Sequence, residues 1–407
     1  IVFGDEYWIY PTLSLLYGED EEIYKADLER KTDAINPEYN LQTHIDAFSS
    51  KDLVNWTKHP RVLHIEDVSW VKYALWAPSI IQANDKYYLF FGGNDIQNNE
   101  QYGGIGVAVS DKPEGPFKDA LGKPLISQII NGAQPIDQFV YRDDDGQYYM
   151  YYGGWKHCNV VRLNDDLTSL KPFEDGEMYK EVTPENYVEG PFMLKRNGKY
   201  YFMWSEGGWT NGTYHVASSH SLSPTDICKT GKTVLSSSEI ANGPGHHGYL
   251  HVEGTDDEWL IVYHRRIIGD LEAGHRMLCI DRMTFDGTSS SYGTLSATDT
   301  TSTFVAAKDG TLEIVYVSRD NSVNQILLQT PKDSVGMAFG DIISGTTHVL
   351  VPYTGAIAQP AFAFSSGVVT NSVSVRYTSG APVSARANGA ALSRLNTGNL
   401  SGEGTET

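Results

Sequence analysis

Five times along the chain a short turn-forming stretch leads into an aromatic-rich apolar run. The runs are GDEYWIY (4–10), NDKYYLFF (84–91), DDGQYYMYY (144–152), NGKYYFMW (197–204) and TDDEWLIVYH (255–264). Each predicts a tight hairpin turn entering a buried strand, because Gly, Asn and Asp accept the turn's backbone angles and aromatic residues suit a pleated surface. The runs recur about every 50 to 80 residues, which is room for one four-stranded sheet and its loops. Sheets repeated radially make a propeller, so five occurrences predict five blades. The alternative is an ordinary β-sandwich of similar hairpins, whose strands would follow one another more closely. Helical periodicity is absent, which counts against an α/β barrel.

The pattern changes near residue 290. From Thr288 onward Ser, Thr, Gly, Ala and Val dominate and aromatics thin out, although TLEIVYVS (311–318) and THVLVPY (347–353) still alternate as strands do. The expected organisation is an all-β chain: a five-bladed propeller over 1–288, a small C-terminal β-sandwich-like domain over 289–395, and a mobile tail over 396–407. The tail has nothing apolar to bury.

Charge narrows the partners. A net charge of −20 repels nucleic-acid phosphates and anionic lipid, so both are set aside. No apolar stretch approaches the roughly 18 residues a membrane helix needs. Ile1 opens directly into a strand-like run, with no signal peptide visible. Cys158, Cys228 and Cys279 show no metal-site spacing; one disulfide with a free thiol and three buried thiols are both open. Sequons stand at Asn55, Asn211 and Asn399. The expectation is a monomer secreted from the cell.

In a propeller the inner strands converge on a central depression, so carboxylates at the starts of strands in different repeats are the ones to inspect. Glu189, between Val188 and the Gly190-Pro191 step, precedes the fourth hairpin. Partial burial there would raise its pKa, as a general acid at neutral pH requires; a solvated turn glutamate is the alternative. Asp137 holds the corresponding place one repeat earlier, and a second carboxylate in the same pocket would hold the first one's pKa up. Asp143, Asp144 and Asp145 occupy a hairpin tip and predict a solvated turn.

Several segments together resemble glycoside hydrolase family 43: FSSKDLVNWTKHP (48–60), LWAPSI (75–80), GGIGVAVSDKPEGPF (103–117), PIDQFVYRDDDGQYYMYYGG (135–154), VEGPFM (188–193), GPGHHG (243–248), WLIVYHRR and HRMLCIDRMTFDG (259–287). The resemblance implies a five-bladed propeller and an inverting glycosidase, in which one carboxylate activates water and a carboxylic acid protonates the leaving oxygen. By motif position Glu189 matches the general acid and Asp137 the aspartate that orients it and tunes its pKa. Arg276 matches an arginine gripping the sugar, and its fork suits paired hydroxyls; a structural salt bridge is the alternative. His246 matches a histidine at the axis that contacts substrate or a central calcium ion, with a core histidine satisfied by backbone as the alternative; Trp76 is a candidate wall of the pocket, with plain packing as the alternative. The family's base, an aspartate in an Asp-Pro step, has no match here. It is expected upstream of Ile1, with Asp46 a weak substitute.

The implied activity is an α-L-arabinofuranosidase, with β-xylosidase activity possible, acting on plant cell-wall polysaccharide or oligosaccharide and needing no cofactor. Endo-arabinanase, exo-galactanase and a non-catalytic carbohydrate-binding propeller are the alternatives.

Overall fold

The computed structural model describes residues 1–13, 32, 34–51, 53, 56–237, 241–252, 255, 259–267, 274 and 276–285, and beyond these the backbone of strands only. The C-terminal domain expected over 289–395 and the tail over 396–407 lie largely outside the described residues.

Five sheets follow one another along the chain, and in each the first four strands pair antiparallel in consecutive order. Blade I holds Val2–Phe3, Glu6–Ile9, His44–Ser50 and Thr57–His64. Blade II holds Trp76–Ala83, Lys86–Gly93, Gly104–Ser110 and Lys118–Asp119. Blade III runs through Phe139–Arg142, Tyr148–Tyr152, Asn159–Leu163 and Leu170–Lys171. Blade IV runs through Glu189–Arg196, Lys199–Glu206, His215–Ser221 and Lys232–Leu235. Blade V is Ala241–His251, Trp259–Ile267, Met277–Phe285 and Leu295–Ala297. The five aromatic runs of the sequence are the second strands of the five blades.

Turn chemistry sets the registers. Asn84-Asp85 and Asn197-Gly198 have positive φ at both positions and close two-residue hairpins, with Ala83 opposite Lys86 and Arg196 opposite Lys199. This is the primed turn whose twist matches that of the strands.

The core lies between the blades. Trp8, Ile45, Leu63 and Val68 of blade I pack with Leu89, Phe91 and Ala108 of blade II. Phe90 and Val107 meet Met150, Tyr152 and Val161 across blades II and III, and Tyr151 and Val160 meet Met193, Phe202 and Trp204 across III and IV. Leu250, Leu260 and Ile280 of blade V pack with Leu53, Val2, Tyr7 and Ile9 of blade I. The ring therefore closes by apolar packing, the dominant favourable term in burial.

The aspartate triplet departs from the solvated turn expected of it. Asp144 and Asp145 are exposed, but Asp143 is only 8% exposed. It accepts hydrogen bonds from the Tyr200 hydroxyl at 2.6 Å and from Lys195 Nζ at 2.8 Å. A buried carboxylate needs such partners, and these come from the neighbouring blade. All three cysteines are unpaired, Cys158 and Cys279 buried and Cys228 exposed.

Candidate active site

Near the starts of their inner strands, blades II to V each carry a residue with left-handed backbone: Ala77 (φ 42°), Asp137 (φ 55°), Gly190 (φ 63°) and His246 (φ 40°). In blades II, IV and V the strand register also shifts there. Bulges re-aim side chains and concentrate beside active sites, and positive φ at non-glycine residues is uncommon. The sequence pays no attention to hairpin pattern here, because these residues break it.

The breaks bring Asp137, Glu189, His246 and Arg276 together. Asp137, 7% exposed, accepts the Gly190 N–H on Oδ2 at 3.2 Å, and His246 Nδ1 lies 3.7 Å from the same oxygen. Glu189 Oε1 accepts from the Tyr214 hydroxyl at 2.8 Å. His246 is fixed by its backbone N–H, which donates to Ser205 Oγ at 2.9 Å. Arg276 precedes the third strand of blade V, with its guanidinium carbon 5.9 Å from the Trp209 ring centre. Its Nε is buried and has no hydrogen-bond partner among the described residues.

The electrostatics follow from this crowding. Burial pushes Asp137 up to about 7, opposed by the Gly190 N–H and Arg276. Burial also pushes Glu189 up to about 7, and the negative charge of Asp137 pushes the same way. His246, Tyr214 and Arg276 oppose the rise at Glu189. Burial lowers the pKa of His246, which favours a neutral imidazole. The pair of carboxyls thus retains a proton near neutrality, and the group that retains it can donate it.

The remaining expected residues lie around this cluster. Trp76 packs edge-on against Tyr39, with ring centres 4.7 Å apart, and its indole N–H donates to Gln42 Oε1. Burial, Asp95 and Glu189 together suppress ionisation of the Tyr39 hydroxyl, so Trp76 borders the cluster through Tyr39. Asp46 lines the axial cavity of about 640 Å³ together with Asp137, His246 and Arg276. Its oxygens are engaged, Oδ1 by the Arg61 N–H at 2.7 Å and Oδ2 by Lys58 Nζ at 3.4 Å. Asp5, in the first hairpin turn, pairs with Lys51 at 2.7 Å on the surface.

Tyr214, Tyr39 and His264 were not singled out by sequence reasoning. His264, in the second strand of blade V, stacks on Tyr214, the residue before the third strand of blade IV, with ring centres 5.6 Å apart, and both read simply as core. Among the described residues no three His, Cys, Asp or Glu side chains gather as a metal-ligand set. Calcium takes about six to eight oxygens, whereas His246 offers a nitrogen beside a carboxylate that already has a donor. These residues do not build a calcium cage.

Comparison with known proteins bears on this arrangement. The family model described as glycosyl hydrolases family 43 matches residues 16–289. A β-D-galactofuranosidase of Aspergillus niger is 42% identical over 299 residues, 70% of this chain and 78% of that protein. A xylosidase/arabinosidase of Humicola insolens is 30% identical over 306 residues, 65% of this chain and 85% of that protein. Among solved structures, an α-L-arabinofuranosidase of Clostridium thermocellum superposes with a TM-score of 0.53 at 28% identity, covering 73% of this chain and 91% of the other.

Proposed function

This chain belongs to glycosyl hydrolases family 43 and is a glycosidase, and from that premise we propose that it is an exo-acting furanosidase working by inversion outside the cell. Its substrates under this reading are terminal α-L-arabinofuranosyl groups on plant cell-wall polysaccharide, arabinoxylan and arabinan foremost. The observation that carries the reading is the buried Asp137 and half-buried Glu189 set beside His246 and an Arg276 Nε that has no hydrogen-bond partner among the described residues. Glu189 acts as general acid. Its proton passes to the glycosidic oxygen as the bond from the anomeric carbon breaks, and a water molecule adds to that carbon from the opposite face after losing its own proton to a base. Asp137 keeps Glu189 protonated until that moment and orients it. Arg276 donates to sugar hydroxyls, and its charge helps Glu189 leave as a carboxylate. Because Asp46 is already shared between Lys58 and the Arg61 N–H, it receives no role as base.

A second sugar is favoured by the galactofuranosidase relative. β-D-Galactofuranose has the ring configuration of α-L-arabinofuranose and adds a hydroxymethyl group, so one pocket can take both where that group finds room. The test follows products by proton NMR, offering the chain arabinoxylan, linear arabino-oligosaccharides and the 4-nitrophenyl glycosides of arabinofuranose, galactofuranose and xylose. Release of a furanose with inverted anomeric configuration is expected. Retention of configuration, release of xylose alone, or binding without turnover would overturn the proposal.

A further inference from the structure

In blades II to IV the loop joining the second and third strands opens on the face that carries Asp137 and Glu189. In blade III this loop is clamped between the two. The Gly153 N–H donates to Ile136 O at 3.0 Å and the Gly154 N–H to Gln134 O at 3.1 Å, just before Asp137. The Lys156 N–H donates to Val188 O at 3.2 Å, just before Glu189. Between these anchors stands Trp155, 41% exposed.

The loop holds Trp155 at a conformational cost. Trp155 (φ 56°) and Lys156 (φ 69°) are successive left-handed residues, a state that bulky side chains rarely adopt. The loop has little room to relax. A Cβ on Gly153 would lie 2.1 Å from His157 O, and one on Gly154 would lie 2.8 Å from Ile136 Cδ1. His157 is itself paired with Glu181 at 3.1 Å. Strain of this kind persists only where the surroundings over-determine it, and such residues cluster at ligand clamps. The equivalent loops of the flanking blades also carry aromatics. Tyr102 of blade II is 59% exposed, with its carbonyl held by Asn94 Nδ2 at 2.9 Å, and Trp209 of blade IV lies against Arg276.

We propose that Trp155 is the stacking platform of a binding subsite for the sugar on the leaving-group side of the cleaved bond. The inference rests on the functional reading above. The general acid must touch the leaving oxygen, so a platform fastened to the residue before Glu189, outside the axial depression, faces the part of the substrate that departs. An indole presents a large rigid apolar face at low conformational cost, and the C–H face of a backbone pyranose in a neutral polysaccharide fits it. The enzyme then grips the chain that bears the furanose as well as the furanose itself.

The test compares Trp155→Ala and Trp155→Phe with the parent chain on two substrates, an arabinofuranosyl-substituted xylo-oligosaccharide and α-L-arabinofuranosyl fluoride, whose leaving group places no sugar on the platform. The ratio of kcat/KM for oligosaccharide over fluoride should fall on the order of thirtyfold in Trp155→Ala, the scale of a tryptophan hot spot, and Phe should restore most of it. An unchanged ratio overturns the platform, whether both rates fall together or neither falls. A parent chain that cleaves neither substrate sinks the furanosidase reading instead. In that event the platform is judged by calorimetric titration of xylohexaose into Glu189→Gln with and without Trp155→Ala. Loss of affinity with the second substitution upholds it, and equal or absent affinity in both overturns it.

Discussion

A carboxyl that must give up a proton at neutral pH has to be kept from losing it earlier, and burial does most of that at Glu189. Asp137 adds to the effect, because its charge makes ionisation of Glu189 costlier. Glu189→Gln should lower kcat on poor leaving groups by about 100-fold or more, the usual scale for a general acid. Asp137→Asn removes the neighbouring charge and so lowers the pKa of Glu189. The alkaline limb of kcat/KM should then fall away at lower pH than in the parent chain, and an unmoved limb would remove Asp137 from this role. Stability should respond too. The folded-state pKa of Asp137 lies above the unfolded value, so the native chain holds a proton that the unfolded chain releases, and stability is lost as pH rises from about 4 to about 7. The Asn variant avoids that loss. Its urea midpoint should exceed the parent's by more at about pH 8 than at about pH 5, the comparison that checks the sign.

At the scale of elements, neighbouring blades are joined by apolar faces and, between III and IV, by a buried polar clamp. Lys195 reaches across from blade IV to Asp143 and also meets Asp144 at 2.8 Å, while Tyr200 donates to the other Asp143 oxygen. Removing the cation leaves a buried carboxylate short of a partner. Lys195→Ala should therefore cost about 3 kcal/mol, read as a lowered thermal midpoint, and the double variant Lys195→Ala/Asp143→Asn should recover part of the loss. Equal midpoints for the parent and the single variant would show that the clamp contributes nothing. The clamp sits at the hairpin end of the strands, away from the bulged ends that carry the site. The single variant should leave the pH profile of the reaction unmoved.

At the scale of the whole molecule, the net charge of −20 bears on which polysaccharides approach. A neutral arabinoxylan feels little of this field, whereas a chain carrying glucuronic acid is repelled. Raising salt from about 0.01 M to about 0.15 M shortens the screening length from about 30 Å to about 8 Å. Initial rates on glucuronosylated arabinoxylan at low substrate should then rise a few fold, while rates on the neutral polymer stay level. Equal responses would mean that the acidic surface lies away from the path of the substrate.

Much of this architecture was written in local pattern. Turn residues followed by aromatic strands mark the blades because each hairpin satisfies its own backbone hydrogen bonds and each strand buries its own face, so the signal is complete within a few residues. The fivefold repetition then implies radial packing, and the segments around Asp137, Glu189, His246 and Arg276 were legible as motifs. What the sequence could not supply was whatever depends on the meeting of distant segments. The burial of Asp143 depends on Lys195 and Tyr200, which lie more than 50 residues away. Tyr214 reads as one more core aromatic until the fold points its hydroxyl at Glu189. The left-handed residues at Asp137 and His246 carry no compositional mark, since Asp and His are ordinary in strands' flanks, and only the converging bulges reveal them. The raised pKa values arise from desolvation and from charges brought close in space, neither of which exists along an extended chain. Local pattern thus determines which strands form, and the tertiary packing of the blades decides which of their polar side chains share a site.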